Sequence, residues 1–267
     1  MQALLAQMSC RIGDVAGNVD RAVAAIRAHP QVGIAVFPEL YLSGYTYRDL
    51  AGVSRHPDGP EVRTVAEAAA EAETAVVIGF AEEADGRFYN SAACIDENGS
   101  LAGVYRKTYL FESERAAGFA DGEELLIVEL AGARVAPLIC FDIEFPEPAR
   151  QAMLAGAELL VTCSANMDPF YLDHEIGSRA RAHENRRPHL YANMVGQGEG
   201  LTFVGASRSI APTGEVLVEA SRDREELLVV PVADPGGVDW RTDYPRWLRP
   251  PLRIAAPARA GTGAGLD

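Results

Sequence analysis

A cysteine that follows an apolar run is the first candidate for chemistry. Residues 135–139 form a short apolar run typical of a buried strand, and Cys140 follows it directly. Pro146 and Pro148 then open a helical pattern, which places the cysteine on a strand-to-helix turn. Such a turn presents a nucleophile to a cleft, and a nearby helix N-terminus can lower the pKa of a thiol. A buried, unreactive cysteine is the alternative interpretation.

Glu39 and Lys107 occupy comparable positions, shortly after other predicted strands. Glu39 comes shortly after the apolar run 33–37, and Lys107 follows the second strand of a predicted hairpin. A carboxylate beside a buried strand can be a salt-bridge partner or a general base, because burial raises its pKa toward neutrality. A lone lysine at such a position is usually a solvated charge. Ligands of open α/β sheets bind outside the carboxyl ends of strands, so these residues and Cys140 are candidates for one site.

The remaining pattern predicts the elements that must position these residues. An Asn-Gly pair at 98–99 and a Thr-Gly pair at 213–214 are the turns of two expected hairpins. Because hairpins are mixed with alternating strands and helices, the pattern favours two helix-covered sheets over a single parallel sheet. Strands are expected at residues 3–8, 33–37, 75–80, 90–95, 101–105, 135–139, 158–163, 189–195, 203–211, 216–219 and 227–232.

Four helices are expected from apolar residues at helical spacing. Asn18 is a candidate N-cap for the first helix, whose apolar positions are 19, 22, 23 and 26. The other three are expected around residues 62–69, 149–154 and 171–187, and residues 44–60 are expected to form a surface loop.

Composition limits the classes of function. The 267 residues are 48% hydrophobic, which is enough for one large core, and the net charge of −14 argues against nucleic acid or an anionic membrane as partner. The four cysteines form no CxxC pair and the histidines no HExxH motif, so neither a disulfide framework nor a metal site is expected. The chain has no run of transmembrane length and no basic, hydrophobic signal pattern at its start. We expect a soluble cytoplasmic protein with one domain over residues 1–254 and a flexible tail over 255–267.

The segments around the three candidate residues resemble the nitrilase superfamily of carbon–nitrogen hydrolases. Glu39 lies in Phe-Pro-Glu-Leu-Tyr-Leu-Ser-Gly-Tyr, Lys107 in Tyr-Arg-Lys-Thr-Tyr-Leu-Phe and Cys140 in Leu-Ile-Cys-Phe-Asp-Ile-Glu-Phe-Pro-Glu. The order and the flanking residues match the catalytic triad of that family, and the resemblance covers most of residues 2–232. It implies a four-layer α-β-β-α sandwich of the α/β class. It also implies protomers that pair through their outer helices, as a homodimer or a larger homo-oligomer.

The resemblance also implies roles for the site residues. Cys140 would be the nucleophile that forms a thioester, Glu39 the general base, and Lys107 with the backbone N–H of Phe141 would hold the oxyanion. Asn166 and Met167, which follow a predicted strand, are candidates for the pocket wall, with packing as the alternative. No metal and no organic cofactor are expected.

Two features place the chain within the superfamily, and two departures from the family pattern follow. Cys140 is followed by Phe-Asp, which looks like the Cys-Tyr-Asp of amidase-type branches and not the Cys-Trp-Glu usual in nitrilases. The Asp-Ile-Glu-Phe-Pro-Glu run and the Ala-Asn-Met segment look most like amidases of short linear amides, including 5-aminopentanamidase, which implies a short primary amide as substrate. Tyr109 stands where many relatives have histidine. For the second glutamate of the family, Glu114 is one residue off the usual spacing, and Glu112 is the alternative.

Other functions are weighed against the amidase interpretation. An N-carbamoyl amino acid hydrolase or a nitrilase would use the same three residues on a different substrate. A non-catalytic member of the superfamily would act as a subunit or a binding protein, which the complete triad argues against. A nucleotide-binding α/β domain is the least favoured, because no GxGxxG or GxxxxGK[ST] motif follows a predicted strand.

Overall fold

Two six-stranded β-sheets form the centre of the protein, seen in a computed structural model that describes residues 1–234 and 244–249. The spatial order in the first sheet is β14-β1-β2-β3-β4-β5; β1, β2 and β3 are parallel, and the outer pairs are antiparallel. Its strands are β1 (Gln2–Gln7), β2 (Ile34–Val36), β3 (Ala75–Ala84), β4 (Arg87–Ile95), β5 (Leu101–Arg106) and β14 (Glu226–Pro231).

The second sheet has the same plan. Its spatial order is β13-β12-β9-β8-β7-β6, in which β7, β8 and β9 are parallel and the outer pairs are antiparallel. A separate antiparallel hairpin joins β10 to β11. The strands are β6 (Val128–Leu130), β7 (Ala133–Ile139), β8 (Leu159–Ser164), β9 (His189–Asn193), β10 (Val195–Gly198), β11 (Leu201–Val204), β12 (Arg208–Ile210) and β13 (Val216–Glu219).

Side chains of the central strands alternate between two cores. In β1, Leu4 and Ala6 belong to the core under the helices of the first sheet, whereas Ala3 and Leu5 belong to the core between the sheets. Apolar side chains of the second sheet, such as Val161 on β8, complete the core between the sheets. Burial on both faces explains why these strands appear in the sequence as continuous apolar runs.

Helices cover the outer face of each sheet. α1 and α3 pack on the first sheet, and α5 and α6 pack on the second, so the predicted four-layer α-β-β-α sandwich is confirmed. Short 3-10 helices span Cys140–Glu144 and Tyr244–Trp247. The α-helices are α1 (Val15–Arg27), α2 (Leu50–Val53), α3 (Pro60–Ala72), α4 (Glu112–Ala117), α5 (Pro146–Leu154) and α6 (Tyr171–Asn185).

The first helix begins before the residue predicted to cap it. Asp14 is the N-cap, and its side chain accepts a hydrogen bond from the backbone N–H of Gly17. Asn18 is buried inside the helix, where it bonds both backbone groups of Arg11 at 2.8 Å. The prediction of Asn18 as N-cap is wrong because its amide holds the preceding loop instead.

The segment predicted as a surface loop, residues 44–60, is largely structured. It contains α2, and Tyr45 is buried against Phe203 with ring centroids 5.0 Å apart. Gly44 has φ +84°, and a Cβ at that position would lie 2.2 Å from the carbonyl oxygen of Arg11. The close approach of the two backbone segments therefore requires glycine.

The strand predicted over residues 203–211 is divided in two. Gly205 and Ala206 both have positive φ, and they carry the chain from β11 to β12 in the second sheet. The short elements α4 and β6 were not predicted. The predicted tail at 255–267 lies outside the described residues, as do residues 250–254 of the predicted domain.

Candidate active site

Glu39, Lys107 and Cys140 meet at one end of the two sheets. Each follows the carboxyl end of a strand: Glu39 follows β2, Lys107 follows β5 and Cys140 follows β7. Their exposed fractions are 0%, 1% and 7%, so all three are buried. The Nζ atom of Lys107 lies 2.5 Å from Oε1 of Glu39. The structure thus brings together the three residues that the sequence predicts.

Glu114 is a second carboxylate partner of the lysine. Its Oε2 lies 2.7 Å from Nζ of Lys107 and accepts a hydrogen bond from the backbone N–H of Phe111 at 2.7 Å. The unpredicted helix α4 supplies this residue, and its short length explains why sequence spacing alone left the position open. Glu112, the alternative second glutamate, is exposed on the same helix and contacts neither Lys107 nor Glu39.

Asn90 is a site residue that the sequence did not reveal. It lies on β4, and its Nδ2 donates to Oε1 of Glu39 at 2.7 Å and also to Oε1 of Glu114. One amide and one ammonium therefore join the two carboxylates. Lys107 is the only lysine in the chain, since all its other basic residues are arginines. We refer to Glu39, Asn90, Lys107 and Glu114 as the buried cluster.

The turn that carries Cys140 is strained and firmly held. Cys140 has φ +43°, in the left-handed region that non-glycine residues rarely adopt. Two residues later, the buried carboxylate of Asp142 accepts hydrogen bonds from the backbone N–H groups of Ile139 and Tyr109, each at 2.9 Å. The hydroxyl of Tyr105 also donates to Asp142, at 2.8 Å. Asp142 therefore ties the segment around Lys107, from the first sheet, to the cysteine turn of the second.

Burial and neighbouring charges set the protonation of the buried cluster. Burial raises the pKa of Glu39; the positive charge of Lys107 opposes this rise, and the negative charge of Glu114 adds to it. Burial acts against the charge of Lys107, but the two carboxylates outweigh it and raise the pKa of Lys107 well above its ordinary value. Lys107 is therefore an ammonium group at neutral pH, and Glu39 takes up a proton more readily than an exposed glutamate does.

Cys140 differs from the expected low-pKa thiol. Burial and the negative charge of Glu39 raise its pKa well above the ordinary value, and the nearby Lys107 offsets only part of this. The prediction of a lowered thiol pKa is wrong, and the resting group is a thiol that needs a base. The Oε2 atom of Glu39 is buried and accepts no hydrogen bond from the described residues. The neighbouring Cys140 side chain favours the ionised form of Glu39 and so acts against the rise in its pKa.

A small cavity adjoins the thiol. Its volume is about 20 Å³, room for one water molecule, so a larger ligand must displace side chains at its outer side. Larger surface depressions, of about 370 and 560 Å³, are lined by other residues. The cavity is lined by Tyr45, Lys107, Phe111, Cys140, Phe141, Glu144, Asn166, Met167, Phe170 and His174.

The predicted pocket residues Asn166 and Met167 both line this cavity. The side chain of Asn166 is engaged locally: its Oδ1 accepts from the backbone N–H of Met167 at 2.9 Å and its Nδ2 donates to the carbonyl of Phe170 at 3.1 Å. The Phe141 side chain contacts Phe145 edge to face at 5.1 Å between centroids. Tyr109, where the resemblance suggests histidine, stacks on Phe145 at 4.1 Å.

The part of the chain that the structure describes has neither a metal-binding cluster nor a helix suited to cross a membrane. No group of three or more histidine, cysteine, aspartate or glutamate side chains is arranged to hold a metal ion. No helix there has the length and apolar character needed to cross a membrane.

Comparison with known proteins identifies the family. The family model described as Carbon-nitrogen hydrolase matches residues 3–241. The chain belongs to the carbon-nitrogen hydrolase family. This carbon-nitrogen hydrolase is 41% identical over 232 residues to an (R)-stereoselective amidase of a Pseudomonas species, and the match covers 86% of the chain and 84% of the relative. It is 35% identical over 233 residues to a Schizosaccharomyces pombe protein named as a probable nitrilase, covering 83% of the chain and 85% of the relative.

Solved structures of an amidase from Nesterenkonia sp. AN1 have the same fold as this carbon-nitrogen hydrolase. One is a mutant in complex with butyramide, with a TM-score of 0.82, 29% identity and coverage of 93% of this chain and 94% of that one. Another shows covalent addition of the acetamide moiety of fluoroacetamide at the active site cysteine of that amidase, with a TM-score of 0.83, 28% identity and the same coverage of 93% and 94%.

These relatives confirm the predicted family and its amidase-type branch. The carbon-nitrogen hydrolase is an enzyme of the nitrilase superfamily that hydrolyses the carbon–nitrogen bond of amides.

Proposed function

We propose that this enzyme hydrolyses a short primary amide to a carboxylate and ammonia through a thioester on Cys140. The observation that carries the proposal is that Lys107, whose ammonium group bonds the buried carboxylate of Glu39, lines the same small cavity as the thiol of Cys140. An amide is a weak electrophile with a poor leaving group, so its hydrolysis needs a nucleophile, a proton carrier and a site for the oxyanion. These groups can supply all three.

In acylation, Glu39 takes the proton from the Cys140 thiol as sulfur bonds to the amide carbon. The carbonyl oxygen becomes an oxyanion, which Lys107 and the backbone N–H of Phe141 stabilise; one such donor contributes about 3 kcal/mol. Glu39 then gives its proton to the departing nitrogen, which leaves as ammonia, and the thioester remains. The raised pKa of Glu39 suits a group that accepts and returns a proton in turn.

In deacylation, Glu39 removes a proton from water as its oxygen attacks the thioester carbon. The carbon–sulfur bond breaks, the carboxylic acid forms, and the proton held by Glu39 returns to the sulfur of Cys140. Glu114 acts as a positioning residue, because its carboxylate touches Lys107 and Asn90. No step needs a metal or an organic cofactor.

The size and lining of the cavity support a short substrate. At about 20 Å³ the cavity must widen for any amide, and a short one needs the least displacement of its walls, which are mainly aromatic and apolar. Asn166 and Met167 shape one wall in this proposal, since the polar atoms of the Asn166 side chain are already engaged. A nitrile is the second candidate substrate, because the Schizosaccharomyces pombe relative is named as a nitrilase.

A comparison of three substrate classes tests the proposal. Ammonia release is followed at one pH for short aliphatic amides, the matching nitriles and N-carbamoyl compounds, and kcat/KM is compared. We expect the amides to react fastest and the Cys140→Ala variant to release no ammonia above background. If nitriles are the best substrates, or only N-carbamoyl compounds react, the amide proposal is wrong although the same three residues would still act.

We also propose a homodimer or a larger homo-oligomer. The outer helices present three large apolar side chains to solvent in the single chain: Leu154 on α5 and Leu172 and Ile176 on α6. Light scattering at micromolar concentration should therefore report at least twice the 28.6 kDa mass of one chain. A stable monomer would contradict this proposal. The absence of a nucleic acid or membrane partner, expected from the net charge, and a cytoplasmic location stay predictions.

A further inference from the structure

The two carboxylate oxygens of Glu39 have different surroundings. Oε1 lies 2.5 Å from Nζ of Lys107 and 2.7 Å from Nδ2 of Asn90, so two donors share this one atom. Oε2 is buried but accepts no hydrogen bond from any residue in 1–234 and 244–249. Donors stabilise negative charge on the oxygen that they contact, and a buried oxygen without a donor gains most from a proton. The more basic oxygen of Glu39 is therefore Oε2.

Lys107 alone does not explain this difference between the two oxygens. An ammonium group is a point charge on a flexible stem, so it can bond one oxygen of a carboxylate or lie between both. If the Glu39 carboxylate turned to place both oxygens against Lys107, both would be stabilised as anions and neither would be a good base. A second, rigid donor is needed to keep one oxygen free.

Asn90 is such a rigid donor. It lies within β4 and is fully buried, and its backbone carbonyl accepts from the N–H of Lys107 at 2.8 Å. Its Nδ2 donates to Oε1 of Glu39 and to Oε1 of Glu114. The opposite orientation of the amide is excluded, because its carbonyl oxygen would then face two carboxylate oxygens and repel both. The planar amide thus fixes the direction from which Oε1 of Glu39 is held.

Glu114 closes the buried cluster into a ring of four side chains. Its Oε2 lies 2.7 Å from Nζ of Lys107 and accepts from the backbone N–H of Phe111, also at 2.7 Å. Each carboxylate of the ring therefore contacts both the ammonium group and the amide. Any turn of the Glu39 carboxylate out of its plane would give up the bond to Asn90, because a side chain as short as asparagine cannot follow it. The ring keeps Glu39 in one orientation.

We propose that Asn90 is a positioning residue for the general base, because it holds one oxygen of Glu39 and leaves the other free to exchange protons. This role rests on the proposed function, in which Glu39 takes the thiol proton as sulfur bonds to carbon and returns it as the carbon–nitrogen bond breaks. Oε2 makes both transfers, while Oε1 stays bonded to Lys107 and Asn90. The neighbouring Cys140 side chain acts against the rise in the pKa of Glu39, which supports this assignment.

Asn90→Leu replaces both donors by a branched apolar side chain of similar shape. We expect kcat and kcat/KM for propionamide to fall together by roughly 10- to 100-fold, the size of a hydrogen bond to a charged group, with little change in KM. The acidic limb of the pH profile of kcat/KM should move to higher pH by about one unit, because a carboxylate that loses a donor has a higher pKa. A merely structural residue would not move this limb.

The groups that face Glu39 determine how the limb is interpreted. Its charged neighbours are Lys107, which stays an ammonium group throughout the acidic range, and Glu114, which can share the proton. Repeating Asn90→Leu in a Glu114→Gln background removes the second carboxylate, and the upward shift should persist. Burial raises the pKa of the other facing groups, so none of them titrates on the acidic limb: Tyr45, Tyr47, Cys140, Cys163 and Tyr191.

Asn185→Leu is the matched control. Asn185 is also fully buried; its Nδ2 donates to the carbonyl of Arg181 at 2.9 Å, and its Oδ1, like that of Asn90, accepts no hydrogen bond from the described residues. It lies on α6 outside the cavity, so its replacement should leave the limb in place and kcat within about threefold. Asn90→Ser keeps one hydroxyl donor and should give a smaller upward shift, and it replaces Asn90→Leu if that variant does not fold. A limb that stays in place in the folded Asn90 variants would overturn the proposal.

Alkylation by iodoacetamide, followed at Cys140 by peptide mass spectrometry, separates this inference from the proposed function because it requires no amide hydrolysis. Its rate should depend on an ionised Glu39 that removes the thiol proton, so its acidic limb should also move upward in Asn90→Leu. If the wild-type enzyme hydrolyses no amide but the alkylation limb moves, the proposed reaction fails and the role of Asn90 stands. If amides are hydrolysed and neither limb moves, the role of Asn90 fails and the reaction stands.

Discussion

The carboxylates on the two sides of the active-site cavity differ in burial and in their charged partners. On the inner side, Glu39 and Glu114 share one ammonium group, that of Lys107, and all three side chains are buried. On the outer side, Glu144 is partly exposed and faces the neutral ring of His174. Each charged group on the inner side thus contacts a fixed group of opposite charge, whereas the carboxylate on the outer side faces a neutral ring and solvent.

This difference predicts different costs for removing a charge on the two sides. Removing one member of a buried charged set leaves an uncompensated charge in a medium of low dielectric, which is strongly destabilising. Removing a partly exposed charge costs the fold little, because water screens it. Mutations of the buried cluster should therefore affect rate and stability together, whereas mutation of Glu144 should leave the free energy of unfolding nearly unchanged.

Cys140→Ala should produce the largest effect, a loss of kcat of at least about 10⁴-fold, because no other group can form the thioester. The thermal midpoint should hardly change, since only a small buried sulfur is removed. Cys10→Ala is the control, because that thiol lies outside the cavity and its loss should not alter kcat. Intact-mass analysis of a trapped acyl adduct should place it on Cys140. A folded Cys140→Ala protein with normal turnover would exclude the thioester.

Lys107→Met should lower kcat and kcat/KM alike, by roughly 10²- to 10³-fold, with little change in KM. It should also lower the free energy of unfolding by about 3–5 kcal/mol, because Glu39 and Glu114 lose their common cation. Urea unfolding and steady-state kinetics measure the two effects. Lys107→Arg keeps the charge but not the compact ammonium geometry, so it should restore more stability than activity. A change confined to KM would assign Lys107 to substrate binding.

Asp142→Asn tests the connection between the two sheets at the cavity. The N–H groups of Ile139 and Tyr109 bond different oxygens of Asp142, and asparagine replaces one of these oxygens by an NH2 group that cannot accept. One buried N–H therefore loses its acceptor, and we expect a loss of about 3 kcal/mol in the free energy of unfolding. The urea midpoint should fall with an unchanged m-value. Asp121→Asn, which removes an exposed ion pair with Arg115, is the control and should have an effect below about 1 kcal/mol. Equal losses in the two variants would mean that Asp142 stabilises the fold no more than an exposed ion pair does.

The smallest expected effect is a shift in pH dependence. The general base must be ionised, so kcat/KM should rise with pH through the raised pKa of Glu39, above its ordinary value of 4.5. The negative charge of Glu114 contributes to that rise, so Glu114→Gln should move the acidic limb to lower pH. Glu112→Gln, on an exposed residue of the same helix, should leave the limb in place. If Glu114→Gln lowers the rate but leaves the acidic limb of the pH profile in place, Glu114 has only a structural role.

The sequence predicted the parts of the site that continue regular elements. Glu39, Lys107 and Cys140 follow long apolar strands, whose carboxyl ends meet at one edge. The sandwich followed from the same strands and from the resemblance. Lys107 is the only lysine in a chain rich in arginine. This is a further sign of a special role at position 107, because a compact ammonium group and a guanidinium group are not interchangeable.

The remaining site residues depend on tertiary packing that a single sequence does not display. Asn90 is one polar residue within a strand, and His174 lies on a helix far along the chain from Cys140. The six residues of α4 are too few for a periodic signal, so the position of Glu114 stayed open. The thiol pKa was predicted in the wrong direction because burial and the charge of Glu39 outweigh any effect of the nearby helix.

Because Lys107 is buried, protease cleavage after this residue reports how often the active site opens. A lysine-specific protease can cut these 267 residues at one position only, after Lys107, and in the native fold that bond is protected. Under conditions where opening and closing are faster than cleavage, the cutting rate measures the population in which the buried cluster has come apart. Ligands that bind the closed cavity should slow that single cut in proportion to their occupancy, which gives an assay for binding that requires no turnover.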